Sequence, residues 1–169
     1  NRNNTLKNLA SAFLNMNTTA FFTLSAKINY TNSNLGSGQG WHRDTYRPYQ
    51  FKAMLYLCDV NEDNGPFQIL EGTNKKFSLF ENYLKYNFDF KKNRFSNEEI
   101  KKISKHKKIK TFTASKGDLI LFNSYCIHRG SPLNKGNRYA LTNYYFPENF
   151  IQKNYNLLIK KFNLPYEKK

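Results

Sequence analysis

The sequence contains few of the residues that mark several protein classes. It has two cysteines, Cys58 and Cys126, which do not form a C-x-x-C pair. A disulfide framework is therefore not indicated, and a reduced, cytoplasmic protein is expected. No apolar run approaches the roughly 18 residues of a membrane span, and no signal peptide is recognisable. The 169 residues are enough for one domain with a sizeable core.

Acidic residues are also scarce. There are 12 of them against 27 basic residues, which gives a net charge of +15. The charge is concentrated between Lys75 and Lys110, where 12 basic residues face four acidic ones. Such a segment attracts nucleic acid, a membrane surface, or a phosphorylated or carboxylated substrate. A solvated basic face and an A/T-rich genome, which favours lysine and asparagine codons, are the alternatives, so the charge alone identifies no partner.

The first half of the chain combines one helical pattern with several strand patterns. A helix is predicted over Thr5–Asn15, and the β-branched and aromatic residues of Thr18–Tyr30 predict a strand. Phe51–Val60 is a long apolar strand. The pair Asn64-Gly65 favours a tight hairpin turn, with Phe67–Leu70 as the returning strand.

The second half begins with the basic segment, which we interpret as a helical insertion. Ser96 and Glu99 have the spacing of a capping box. Strands resume with "TFTA", "DLILFN" and "RYALTNYYF", and apolar residues from Ile151 to Phe162 recur at helical spacing. Many short strands with helices at both ends predict a mainly β barrel or sandwich.

Histidine is rare, and two of the three histidines lie in contexts suited to metal binding. Residues i and i+2 of a strand point to the same face, so His42 and Asp44 can reach one point. Two histidines and one carboxylate form the usual facial site of non-haem Fe(II). His128 follows an apolar strand and fits as the third ligand, whereas His106 lies in the lysine-rich run "SKHKKIK" and is a poor candidate.

A single arginine opens the last strand. Arg138 lies ten residues after His128. A dicarboxylate co-substrate that chelates iron needs a cation for its far carboxylate, and the planar guanidinium can bind it in a bidentate manner. The alternative is that Arg138 is a surface residue beside a turn.

These motifs carry a resemblance. The strings "SAKINY", "GWHRD", "MLYLCDVNEDNGPFQILEGT", "GDLILFNSYCIHRGS" and "RYALTNYYF" resemble, in order, the phytanoyl-CoA dioxygenase family of Fe(II)/2-oxoglutarate oxygenases. The resemblance spans roughly Ser25 to Phe146 apart from the insertion. It implies a double-stranded β-helix (jelly-roll) core. It also implies His42, Asp44 and His128 as catalytic iron ligands, and Arg138 as the residue that binds the C5 carboxylate of 2-oxoglutarate.

The resemblance implies further site residues and a reaction. Asn29 and Lys27 share one strand face and become candidates for the 2-oxoglutarate pocket, as does Thr142 on the face of Arg138. Three residues that flank the expected metal strand are candidates for substrate contacts, with packing and solvent-exposed roles as the alternatives: Trp41, Tyr46 and Arg47. Fe(II), 2-oxoglutarate and O2 are the expected cofactor and co-substrates. The expected reaction hydroxylates a small organic substrate and releases succinate and CO2. The positive charge of the basic segment is compatible with an anionic substrate.

The expected organisation is one oxygenase domain over residues 1–169, lacking the N-terminal helical part of the family and carrying an insertion at about 75–110. A cupin-type metal-binding protein without 2-oxoglutarate and an oxygenase acting on a polyanion such as nucleic acid are the alternatives. Arg138 disfavours the first. The basic charge is largely lysine and is concentrated in one segment, which disfavours the second. The sequence defines neither the substrate nor the oligomeric state.

Overall fold

Seven strands and four α-helices form the regular structure of the described residues. The computed structural model describes residues 3–45, 49–75 and 77–165. The strands are β1 Thr18–Asn29, β2 Phe51–Tyr56, β3 Phe67–Leu70, β4 Ile109–Phe112, β5 Leu119–Asn123, β6 His128–Gly130 and β7 Asn137–Pro147. The helices are α1 Asn4–Leu14, α2 Ser78–Tyr86, α3 Asn97–Ile103 and α4 Glu148–Phe162. Within these ranges, no helix has the length and apolar character needed to cross a membrane.

The strands form two sheets that pack on each other. One sheet has the order β1-β7-β2-β5 and the other has the order β4-β3-β6. Buried Tyr56 and Ala140 of the first sheet pack with Phe67 of the second. A mainly β core of two facing sheets with flanking helices agrees with the expected double-stranded β-helix.

The hairpin predicted at Asn64-Gly65 is wrong. The strand β2 pairs with β5 and β7, whereas β3 pairs with β4 and β6, so the connection crosses from one sheet to the other. The crossing contains a short 3-10 turn, Glu62–Asn64, and Gly65 follows with φ of +73°. A Cβ at Gly65 would lie 2.5 Å from the carbonyl oxygen of Ser131, so both the backbone angle and the space favour glycine.

Helix α1 covers the outer face of the larger sheet, whereas α4 packs on the other face, which carries Tyr144 and Phe146. In α1, Ala10 and Leu14 pack on Phe51, Ala53 and Tyr145. Because side chains alternate along a strand, the residues between these positions point to the other face of the sheet. The helix α4 packs Leu158 into a separate aromatic cluster on the same sheet.

The basic segment packs directly behind the stretch that carries His42, which forms isolated β-bridges and not the strand expected from the sequence. The side chains of Phe95, Ile100 and Ile103 form a core with Trp41 and Ile127. The predicted capping box of α3 is confirmed, since Ser96 and Glu99 bond each other's backbone N–H groups. This segment therefore supports the backbone on both sides of the site described below.

Candidate metal centre

His42 and His128 are held side by side by their backbones. The N–H of His42 donates to the carbonyl of His128 over 2.9 Å, and the reverse bond is 2.7 Å long. Residues in such an antiparallel pair project their side chains to the same face. The two imidazole rings accordingly lie 4.4 Å apart between centroids.

Hydrogen bonds orient both imidazole rings. The Nδ1 atom of His42 lies 2.9 Å from the carbonyl oxygen of Gly40, and Nδ1 of His128 lies 2.9 Å from that of Cys126. A carbonyl can only accept, so each Nδ1 donates and carries the proton. The Nε2 atoms of both rings are thereby left as potential metal ligands.

Asp44 completes a three-residue cluster. Its Oδ1 lies 3.9 Å from Nε2 of His42, and its Oδ2 lies 3.4 Å from Nε2 of His128. One potential ligand atom from each residue falls within 4.8 Å of the others. Two imidazoles and a carboxylate on one side of a cavity are a donor set that suits non-haem Fe(II). The structure thus brings together the three ligands expected from the sequence, and it leaves His106 exposed beyond α3.

A buried lysine that the sequence analysis did not select contacts the cluster. Lys52 Nζ lies 2.7 Å from Asp44 Oδ2, and the lysine side chain is 7% exposed. Nζ also lies 4.5 Å from the ring centroid of Tyr144. Lys52 is the only charged residue of β2. A lone charge in an apolar strand was the available signal, but its partner could not be predicted from the sequence.

The cluster perturbs the pKa of each member. Burial lowers the pKa of His42 to about 3, and the neighbouring His128 adds to the effect. Burial opposes the charged form of His128 too, but its hydrogen bond with Asp44 raises its pKa to about 9. Burial also opposes ionisation of Asp44, yet Lys52 and the histidines hold its pKa well below the usual range. Asp44 is therefore an anion, the form that a metal ion requires.

The inner face of the larger sheet forms one wall of the cavity beside the cluster. Its residues from β7 are Arg138, Ala140, Thr142 and Tyr144. Across the β1–β7 ladder, Ile28 is opposite Arg138 and Leu24 is opposite Thr142. Alternation therefore places the even-numbered residues of both strands in the cavity, which has a volume of about 300 Å³.

Arg138 lies in this cavity with unused hydrogen-bonding capacity. Its side chain is buried, and one terminal nitrogen donates to Ser37 Oγ over 2.6 Å. The other terminal nitrogen is buried and has no hydrogen-bond partner among the described residues. An unpaired buried donor is costly, so this guanidinium fits a carboxylate ligand. Thr142 lines the same cavity.

Asn29 and Lys27 do not reach the cavity, which corrects their expected place in the co-substrate pocket. Both side chains are exposed. The cavity side of β1 is formed by Leu24, Ala26 and Ile28. Lys27 Nζ instead lies 5.5 Å from the ring centroid of Tyr139. Spacing predicted correctly that the two residues share a face, but the face is the outer one.

The expected substrate contact of Trp41 is also corrected. Its side chain is 3% exposed and packs in the core formed with the basic segment. The guanidinium of Arg129 lies 4.5 Å from its ring centroid. Trp41 therefore supports the backbone at His42 from behind. The other two candidates, Tyr46 and Arg47, lie outside the described residues.

Solved structures share this fold at low sequence identity. AviO1 from Streptomyces viridochromogenes Tue57 matches with a TM-score of 0.60 and 16% identity, over 87% of this chain and 59% of AviO1. EctD from S. alaskensis with bound Fe gives 0.61 and 14%, over 84% of this chain and 49% of EctD. The epimerase SnoN in complex with Fe3+, alpha ketoglutarate and nogalamycin RO matches with a TM-score of 0.58 and 14% identity. The match covers 84% of this chain and 55% of SnoN. The chain therefore spans between about half and three fifths of their lengths.

None of the curated proteins matches the sequence. EctD, which shares this fold, has been solved with bound Fe and with 2-oxoglutarate. Together with the His42, Asp44 and His128 cluster, they agree with the cofactors expected from the sequence. The sequence itself matches the family described as phytanoyl-CoA dioxygenase (PhyH) over residues 2–140. This match spans most of the chain, and the protein therefore belongs to the phytanoyl-CoA dioxygenase family.

Proposed function

We propose that this chain is one Fe(II)- and 2-oxoglutarate-dependent dioxygenase domain that hydroxylates a small organic substrate. The observation that carries the proposal is one cavity with two features. The cluster of His42, Asp44 and His128 lies on its wall, and Arg138 offers a buried, unpaired guanidinium donor within it.

Each of these residues has a role that follows from its contacts. The two Nε2 atoms and one carboxylate oxygen are the atoms that would hold the iron beside the cavity. Bound iron supplies the redox chemistry that couples decarboxylation of 2-oxoglutarate to oxygen insertion. Arg138 binds the distal carboxylate of 2-oxoglutarate and so orients its 2-oxo acid end. The ion pair with Lys52 holds Asp44 Oδ2 and leaves Oδ1 directed to His42.

Apolar side chains form much of the remaining cavity wall. Met54 extends from β2, and Phe67 and Phe122 pack against each other beside His128. Their ring centroids lie 5.6 Å and 5.3 Å from that of His128. These side chains exclude water from the ligand and shield reactive species from side reactions.

The direct test is turnover of 2-oxoglutarate to succinate. Protein reconstituted anaerobically with Fe(II) should form succinate and CO2 when O2 is admitted, and a panel of small organic compounds should reveal stimulators. Omission of iron should abolish turnover. A cupin-type metal protein would bind iron without consuming 2-oxoglutarate, and that outcome would refute the proposal.

Arg138→Ala should raise the KM for 2-oxoglutarate roughly ten- to a hundredfold. The change removes a charge-assisted contact to a carboxylate, which typically contributes about 1.5–3 kcal/mol. Initial rates of succinate formation at varied 2-oxoglutarate would measure the effect.

Lys27→Ala provides the matched control, because Lys27 is a cation of the same sheet whose side chain is exposed. Its KM should equal that of the wild type. If Lys27→Ala raised the KM for 2-oxoglutarate and Arg138→Ala did not, the carboxylate would be bound by Lys27 on the outer face of the sheet and not by Arg138.

The product should be hydroxylated, even in chloride buffer. Halogenating enzymes of this fold have a small residue in place of the carboxylate ligand, which frees a metal position for chloride. Asp44 fills that place and is held as an anion by Lys52. Mass spectrometry after turnover under labelled O2 should show one added, labelled oxygen atom. A chlorinated main product would contradict both the reaction and the role of Asp44.

A further inference from the structure

The cavity beside the metal cluster carries an excess of positive charge. Its described lining includes three cationic side chains: Lys52, Arg94 and Arg138. Asp44 is the only acidic residue in that lining. Loading the site does not remove the excess, because the two charges of Fe(II) are balanced by the two of 2-oxoglutarate. A net positive cavity attracts an anion and raises its local concentration.

Two of the three cations already have assigned partners. Lys52 is paired with Asp44 at 2.7 Å. Arg138 is assigned above to the distal carboxylate of 2-oxoglutarate. Arg94 is left over: one terminal nitrogen donates to the carbonyl of Gly38, and no carboxylate among the described residues forms an ion pair with it. Its side chain is exposed, so it lies where the cavity opens to solvent.

The backbone fixes Arg94 next to the metal ligands. Arg94 forms an isolated β-bridge with His42. On either side of it, the N–H of Arg43 donates to Asn93 over 2.9 Å, and the N–H of Phe95 donates to Trp41 over 3.0 Å. Since Phe95 is buried in the core of the basic segment, Arg94 is anchored on both sides. Its guanidinium is thus presented to the cavity by a fixed backbone.

We infer that the primary substrate is a small organic anion, and that Arg94 binds its carboxylate or phosphate group. The inference rests on the proposed function and adds the substrate class and the residue that recognises it. Arginine suits either anion, because its planar fork matches both. The bond to Gly38 occupies one terminal nitrogen and leaves the remaining N–H groups of the guanidinium for an anion at the cavity mouth. The competing interpretation is that Arg94 only anchors the loop at Gly38.

The test measures binding of matched probes to the complex with Fe(II) and 2-oxoglutarate under nitrogen. The probes are hexanoate against hexanamide, and hexyl phosphate against hexanol, with dissociation constants from calorimetry. The charge-transfer absorption of iron-bound 2-oxoglutarate is recorded throughout and shows whether the co-substrate stays bound. At least one anion should bind about tenfold or more tightly than its neutral partner. The stronger of the two anions identifies the carboxylate or the phosphate.

Variants then assign the preference to the charge of Arg94. Arg94→Gln keeps an N–H donor for Gly38 but removes the charge, so it should weaken anion binding about ten- to a hundredfold and leave the neutral probes unaffected. Arg94→Lys should retain part of the preference. Lys101→Ala, which removes an exposed cation of α3 outside the cavity lining, should behave as the wild type.

The failures are distinguishable. An absent charge-transfer band in the wild type would overturn the proposed function, and this inference with it. A normal band with equal binding of anions and neutral probes would overturn the inference alone. The inference would also be overturned if Arg94→Gln weakened the binding of anionic and neutral probes equally, because that would show that Arg94 has a structural role. Loss of 2-oxoglutarate from that variant would assign Arg94 to the co-substrate site and likewise overturn it.

Discussion

Alanine in place of His42 or His128 is expected to abolish stoichiometric iron binding. Each substitution removes one of the two imidazoles from the candidate metal site of three residues. A mutation in the outer shell of a metal site typically costs ten- to a hundredfold in affinity, so loss of a ligand itself should cost more. The wild-type chain should retain one Fe(II) after anaerobic reconstitution and desalting, as measured by metal analysis, and neither variant should retain it.

His106→Ala is the matched control, because His106 is exposed outside the cluster. It should bind iron as the wild type does. Circular dichroism and thermal unfolding would show whether each variant is folded, since His128 is buried and its backbone bonds that of His42. Full iron occupancy in a folded His42→Ala or His128→Ala variant would remove that residue from the site.

The grouping of His42, Asp44 and His128 could be predicted because its signals are local, and because few histidines compete for the third position. His42 and Asp44 are two residues apart, and the alternation of an extended chain alone directs them to one side. His128 was the remaining histidine with an apolar strand before it, since His106 lies among lysines. The sequence could not show that His42 and His128 bond each other directly through their backbones. That contact joins segments 86 residues apart and depends on the whole fold.

The errors arise where an outcome depends on the register between strands. The alternation of side chains along a strand places Lys27 and Asn29 on one face, but it does not determine which face of the strand is buried. In the structure Ile28 is opposite Arg138, so the intervening residues of β1 point outward. The hairpin at Asn64-Gly65 failed for a related reason. Turn residues determine a local bend, whereas the partner of the following strand is decided by packing elsewhere.

Charged residues of the cavity were the hardest to predict. Arg94 was one of 12 basic residues in a segment interpreted as a helical insertion, for whose charge a solvated face was one explanation. Its place beside His42 follows from an isolated β-bridge between the two residues. The same segment buries Ile100 and Ile103 against Trp41. A stretch that looks like a basic surface by composition is thus part of the support of the site.

Replacing Lys52 by methionine should lower the free energy of unfolding of the chelator-treated protein by about 3–5 kcal/mol. The lysine side chain is 7% exposed and that of Asp44 is 23% exposed, so most of the charge on each is shielded from water. Methionine keeps much of the volume but leaves the carboxylate without its nearest counter-charge. Equilibrium denaturation by urea in the presence of a chelator would measure the loss.

The double variant Lys52→Met/Asp44→Leu separates charge from packing. A buried ion pair replaced by apolar residues is often neutral in stability, so the double variant should recover most of the loss. Excess Fe(II) should also narrow the gap between Lys52→Met and the wild type, because a divalent cation bound to Asp44 supplies the missing counter-charge and stabilises the folded state. An exposed ion pair typically contributes no more than about 1 kcal/mol to stability. If the free energy of unfolding of Lys52→Met lay within about 1 kcal/mol of the wild-type value, Lys52 would not be the counter-ion that holds Asp44 in place.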